Sequence, residues 1–350
     1  TALVATASVA AADVTFSASG RFGVKTVSTD AVAATMDTYA AGVKTAVSGA
    51  VAASDVTAAK DAVQASKAAL AADTVAADAV IEAAALADRE LELAARTGAA
   101  KKTTTDLTTR MQLDVKASVE TTNGISYGAF ARYRSDGTLN GFNAPQLSMS
   151  TGGLTIRVGN NNGQMYKAAM SASNVGLTGL GFPTYVVSAG EYSSQGTGMQ
   201  GVDVDYSMGG FSVGVSQSKN ITVGTTTGNT QTQAGVSYSA GAITVGAAMQ
   251  DGKTKAEDAN IVAASYTMDG ASFEIAHGSQ NGTKKTRVGG TFDLAAATSV
   301  TAFVVDTNTA GEKSAYGLGV SHDLGGASLK AGYVKTATGS AADFGVSFNF

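Results

Sequence analysis

Cysteine and tryptophan are missing from this chain, and proline occurs only twice in 350 residues. Without cysteine, disulfides and thiolate metal or redox sites are excluded. No run of about 18 apolar residues occurs, so no helix can cross a bilayer, although 44% of the residues are hydrophobic. Charge is scarce, at 15% of residues with a formal net charge of −4, which argues against a nucleic-acid partner. Histidine is limited to His277 and His322. No nucleophile elbow accompanies them, so a Ser-His-Asp hydrolase has nothing to build on. Walker, Rossmann and zinc spacings are absent too, and the glycines of 176–181 read as loop. The chain is therefore expected to be neither an enzyme nor a cofactor binder. The exception is a possible Ca2+ ion at acidic residues such as Asp203 and Asp205.

What is present begins with glycine, at 42 residues, and a distinctive start. Thr1 to Ala12 reads TALVATASVAAA. This small-residue apolar run looks like the end of a secretory signal peptide, cleaved near Ala10–Ala12. Residues 13–350 would then be the exported protein.

Strict period-two alternation, the mark of a strand with two different faces, recurs along the rest. Val14, Phe16, Ala18, Gly20, Phe22 and Val24 share one face, opposite Arg21 and Lys25. Met111, Leu113, Val115, Ala117 and Val119 alternate with Arg110, Asp114, Lys116 and Glu120. Asn123-Gly124 is a hairpin signal. After it Tyr127, Ala129, Ala131 and Tyr133 oppose Arg132 and Arg134, with Phe130 breaking the pattern. Similar segments follow to Phe344, Val346, Phe348 and Phe350. Tight Gly-rich turns, at 152–153, 209–210, 241, 269–270 and 323–326, alternate with longer polar loops near 136–143, 160–198, 220–229, 251–258 and 306–313.

A soluble sandwich or solenoid would also alternate. Here one face is nearly free of charge, and each segment runs about ten residues, the length of a tilted bilayer-spanning strand. Phe16, Tyr127, Tyr133, Tyr266, Tyr316 and Tyr333 sit on that face, as interfacial girdle residues would. The fold class is all-β: a transmembrane antiparallel β-barrel of about sixteen strands.

Residues 30–103 do not fit the strand pattern. Val56, Ala59, Val63, Lys67 and Leu70 recur at helical spacing, with Ser54 or Thr57 as the cap. A second run, Thr74 to Arg96, follows a break at Asp73-Thr74. An Ala-rich helical hairpin is expected between strands 1 and 2, external or at the barrel mouth.

The opening strand from Asp13 to Val24, the hairpin at Gly152-Gly153, the long loop from Asn160 and the ending Gly345-Val346-Ser347-Phe348-Asn349-Phe350 together resemble the general bacterial porin family, in its alpha-proteobacterial form. The resemblance covers 13–26 and 104–350. It implies a Gram-negative outer-membrane channel for passive transport of small hydrophilic solutes and ions. It also implies a homotrimer in contact with bilayer and lipopolysaccharide, and a third loop, here 160–198, folded inward. Phe350 resembles the family's terminal assembly signal. The insertion at 30–103 departs from the family, and it leaves a second reading: a barrel-anchored surface protein whose insertion mediates interaction.

In such a pore, bore size and lining charge set selectivity. Parity turns Arg21, Lys25, Arg110, Lys116, Arg132, Arg134 and Arg157 to the lumen as one basic wall. Asp114, Glu120, Asp203, Asp205 and Glu274 are the facing acids. The family sets acids on its inward loop, whereas this loop carries only Glu191 and Lys167, with Asn160, Asn161, Asn162, Gln164 and Tyr166 making it polar and neutral. A weak transverse field and a mild anion preference at low salt are expected.

Overall fold

The structure, a computed structural model, describes residues 13–40, 43–47, 50–72, 76–137, 140–169, 173–181, 186–187, 192, 194–196, 198–220, 230–309 and 313–350. The signal segment 1–12 lies outside them. Contacts divide the chain into two units, one of Thr1–Val27 with Thr105–Phe350 and one of Ser28–Thr104.

In chain order the elements begin with β1 (Asp13–Thr29), β2 (Thr38–Ala40), β3 (Val43–Thr45), α1 (Ala53–Ala72), α2 (Ala76–Thr97), β4 (Lys102–Glu120) and β5 (Ser126–Ser135). Next come β6 (Asn140–Phe142), β7 (Gln146–Thr151), β8 (Leu154–Asn160), α3 (Gly163–Ala169), β9 (Met199–Met208), β10 (Phe211–Asn220), β11 (Thr230–Ala240) and β12 (Ile243–Asp251). The last are β13 (Ala259–Met268), β14 (Ala271–Gln280), β15 (Thr283–Ala295), β16 (Thr298–Thr307), β17 (Ala315–Asp323), β18 (Ala327–Lys335) and β19 (Gly339–Asn349).

From β4 to β19 successive strands pair antiparallel, except that β6 and β7 each pair with β5, and β1 pairs with both β4 and β19. Ala18 and Phe350 close the ring, exchanging backbone hydrogen bonds of 2.8 and 2.9 Å. β6 and β7 both pair with β5 and form one interrupted strand, so the seventeen-stranded sheet is a closed barrel of sixteen.

Alternation explains the wall. Val215, Val288 and Leu318 are each about half exposed on the outer face, a position that only lipid makes favourable. Near the tight-turn rim, Phe211 faces Tyr238, and Tyr266 pairs with both Ile243 and Phe273. Phe273 meets Phe292 edge to face at 5.2 Å. These residues form an interfacial aromatic belt. The turn at Gly209-Gly210 has φ of 59° and 83°, a left-handed pair that two glycines adopt without strain. Phe130, the exception to alternation, turns inward, and the Arg132 guanidinium lies 5.6 Å from its ring centroid.

In the second unit, Ala59 and Val63 of α1 are buried, on the face that their spacing predicts. Neither expected cap is used. Asp55 reaches back to accept from the Ala52 N–H at 2.8 Å, while Thr57 donates to the Ala53 carbonyl at 3.1 Å. An acidic group in the first turn satisfies the Ala52 N–H and also favours the positive end of the helix dipole. Gly98, at φ 62°, ends α2 with its N–H on the Ala94 carbonyl, a left-handed cap. The hairpin of β2 and β3 is too short to leave a sequence signal. Buried Asp37 beside it accepts from Lys44 at 2.6 Å, Thr35 at 2.7 Å and the Val47 N–H at 3.3 Å. The Lys44 hydrogen bond, then that of Thr35, holds its carboxyl below the usual range.

Candidate functional site

Between β8 and β9 the chain turns into the barrel. α3 lies on the inner wall against β10, β11, β12 and β13. The fit comes from small inward residues on those strands. A Cβ at Gly214 would stand 2.4 Å from Gln164 Nε2. Met165 is fully buried among Val186, Val187, Ala248, Ala259, Ile261 and Ala276.

Polar anchors fix other described residues of the loop. Gln164 Nε2 donates to Asp203 and Asp205, each at 2.8 Å. The Lys167 ammonium bridges the same two carboxylates, at 2.6 Å from Asp205, and Arg157 also pairs with Asp205. Further along, Glu274 accepts the Ser173 N–H at 2.8 Å and its hydroxyl at 3.1 Å. Arg287, 1% exposed, pairs with Glu274 at 3.2 Å, donates to the Ser173 carbonyl and lies 3.9 Å from the Phe303 ring centroid. Asp343 accepts from the Leu177 N–H at 2.9 Å and from both the N–H and Oγ1 of Thr178 at 2.6 Å. Gly332 lets Gly176 pass, since a Cβ there would meet its Cα at 2.5 Å. The returning arm reaches β5, where Gln195 Nε2 donates to the Arg134 carbonyl at 3.0 Å.

These contacts cover the wall from β9 round to β19. Arg21, Arg110, Arg132, Arg134 and Arg157 lie on the other strands, β1, β4, β5 and β8, and the loop touches these strands at Arg21 and Arg134. A sequence model of the Gram-negative porin family matches residues 49–344. The chain belongs to that family. No curated protein is similar to it in sequence. Among solved structures, a five-substitution variant of the porin of Rhodopseudomonas blastica has a TM-score of 0.66 at 20% identity, covering 97% of this chain and 100% of that one. A triple variant of the same porin has a TM-score of 0.60 at 18% identity, with the same coverage. An engineered protein described for asymmetric conductivity has a TM-score of 0.66 at 19% identity, again with that coverage. The porin is a channel of the Gram-negative outer membrane.

The porin's arginines differ in their pairing. Arg132 forms a bidentate pair with Asp114, both contacts at 2.7 Å, and is flanked by the rings of Phe130 and Tyr192. Arg134 bonds Asp136 at 3.0 Å, and Arg157 is held by Asp205. Arg21 donates to the Leu177 carbonyl at 2.9 Å. Among the described residues, Arg21, Arg110, Lys25 and Lys116 have no carboxylate within ion-pair distance. Lys116 stands opposite Phe130, and Glu120 opposite Ser126 beside a tight turn, away from the loop.

Asp203 departs from its expected role. It faces inward but is completely buried, because α3 covers it; it anchors the loop and does not line the bore. The Lys167 ammonium pairs with both Asp203 and Asp205, and Arg157 with Asp205, so two cations face the two acids. Glu191 lies outside the described residues. Sequence reading passed over Arg287 and Asp343, although parity alone turns both inward. His277 and His322 lie on the outer face, each with Nδ1 2.8 Å from a threonine hydroxyl, Thr286 and Thr298.

Proposed function

We infer that this porin passes small hydrophilic solutes and ions by diffusion, with a mild preference for anions in dilute salt. One observation carries the reading. Four of the five acids expected in the lumen are occupied: Asp114 by Arg132, Asp205 by Arg157 and Lys167, Asp203 by Lys167, and Glu274 by Arg287. The cations are in surplus, since Arg21, Arg110, Lys25 and Lys116 have no carboxylate within ion-pair distance among the described residues. A fixed surplus charge in a narrow aqueous path attracts counter-ions. Its reach grows from about 10 Å in 0.1 M salt to about 30 Å in 0.01 M.

The loop between β8 and β9 is the constriction in this reading, because its described residues are fastened across the inner wall. The test is the reversal potential of purified porin in a planar bilayer under a dilute KCl gradient. A potential displaced toward the chloride equilibrium value supports the reading, and one displaced toward potassium overturns it. Conductance steps arriving in threes would support the homotrimer expected from the resemblance.

A further inference from the structure

On the tight-turn side of α3 the inner wall holds a cavity of about 360 Å3, within the range of small-molecule sites, about 300–1,000 Å3. Strand register builds its lining. Ser207, Ser212 and Ser237 face one another across β9, β10 and β11, so one row carries three inward hydroxyls. Neighbouring strands stand about 4.8 Å apart, which spreads the row over the width of a single sugar ring. The Ser207 and Ser212 hydroxyls bond each other at 2.6 Å. In the next row toward the loop stand Thr155, Asp205, Gly214 and Gly235. The two glycines put no side chain into the space between the serines and Gln164 of α3.

Arg157 and Lys167 complete the lining. Lys167 pairs with Asp203 and Asp205, and Arg157 with Asp205. Two cations thus meet two carboxylates, and the group has no formal net charge. An ion of either sign gains little there, because drawing off one member leaves its partner unpaired. Hydrogen-bonding capacity remains. Lys167 has one ammonium hydrogen beyond its two partners. The hydroxyls of Thr155 and Ser237 have no protein partner among the described residues, and each can both donate and accept. These groups are within reach of a solute. The side chains of Arg157, Lys167 and Asp205 are 31%, 29% and 17% exposed, and no lining hydroxyl is fully buried.

We propose that this cavity binds a small neutral polyol, of monosaccharide size, on the permeation path. The proposal rests on the diffusion reading above and deepens it by naming a solute class that the channel holds as well as passes. A solute resident there narrows the aqueous path, so ion current falls and then saturates as the site fills.

The experiment uses intact porin in a planar bilayer with KCl, and glucose is added to both sides. The expected result is a fall in current that saturates with glucose concentration, on top of the steady fall that viscosity gives. Ser237→Ala and Thr155→Val each remove one hydroxyl. Each should weaken the saturating part about fivefold, the effect of one lost neutral hydrogen bond. Ser239→Ala should leave it unchanged, since that hydroxyl bonds Thr244 at 3.0 Å and lies outside the cavity. Glycine, a zwitterion, should produce no saturating fall. An ion-conducting pore in which glucose gives only the viscosity effect overturns the site and leaves the diffusion reading standing. Equal saturation in wild type, Ser237→Ala and Thr155→Val overturns the assignment to this cavity. Saturation by glycine in place of glucose overturns the neutral class. A folded porin that passes no ions overturns the diffusion reading and the site with it.

Discussion

Replacing Asp343 by asparagine should release the tip of the inward loop. The carboxylate accepts three hydrogen bonds, from the Leu177 N–H at 2.9 Å and the Thr178 N–H and Oγ1 at 2.6 Å. Asp343 is 5% exposed, so water gives little compensation. Asparagine keeps one acceptor oxygen and turns an NH2 group toward donors. One charge-assisted bond is lost, at about 1.5–3 kcal/mol, and the others weaken to neutral strength, for roughly 2–4 kcal/mol in all. At about 1.4 kcal/mol per tenfold, the ratio of docked to undocked loop falls by a factor of about 30 to 1,000. Hydrogen exchange read by mass spectrometry is the direct assay, because the Leu177 and Thr178 amides are the groups released. Their exchange should accelerate toward that factor while the amides of β17 and β18 stay protected. Single-channel records should show added current fluctuation. Unchanged exchange at the two loop amides in a correctly folded variant would refute the idea that Asp343 holds the tip.

Gly332→Val should push the loop off the wall. Its Cβ would lie 2.5 Å from Gly176 Cα, and ordinary carbon contacts begin near 3.5 Å, so the loop has to move about 1 Å into the bore and single-channel conductance should drop. The double variant Asp114→Asn with Arg132→Gln removes a matched pair and should leave the reversal potential near the wild-type value. Arg110→Gln, which removes an unmatched charge, should move it toward potassium. In the helical unit, the depressed Asp37 carboxyl gives a pH test. Its contribution is present above the unfolded value near 3.8 and is lost as pH falls through the lower folded value. Exchange at Val47, whose N–H bonds Asp37, should therefore accelerate below about pH 4, and Asp37→Asn should abolish that acid step.

The wall was legible because its physics is local. Period two follows from strand geometry, and lipid on one side with water on the other stamps a different chemistry on each face. Tyr127, Tyr133 and Phe344 could be assigned outward, and Arg21, Arg132 and Arg157 inward, from parity alone. The partners of those arginines were not legible. Arg132 meets Asp114 only through the register of β4 and β5, and Asp203 disappears from the bore only because a segment about 40 residues earlier in the chain lies over it. The polar run Asn160 to Tyr166 reads as pore lining, yet Asn160 and Asn161 are buried and hold the bend with Gln146. Helix α3 is a single short stretch whose partners are four different strands, so no periodicity within it could announce its position.

The seat of the loop tip says something about how the channel is made. Leu177 and Thr178 are received by Asp343 of β19 and by Arg21 of β1. Gly23 and Gly345, whose missing side chains leave room for Leu177, lie on the same two strands. Those are the first and last strands of the barrel, and their shared edge exists only after the whole sheet has been laid down and sealed. A sheet whose first and last strands have not yet met offers the tip only part of this seat. The loop tip is therefore fully seated only in the closed barrel.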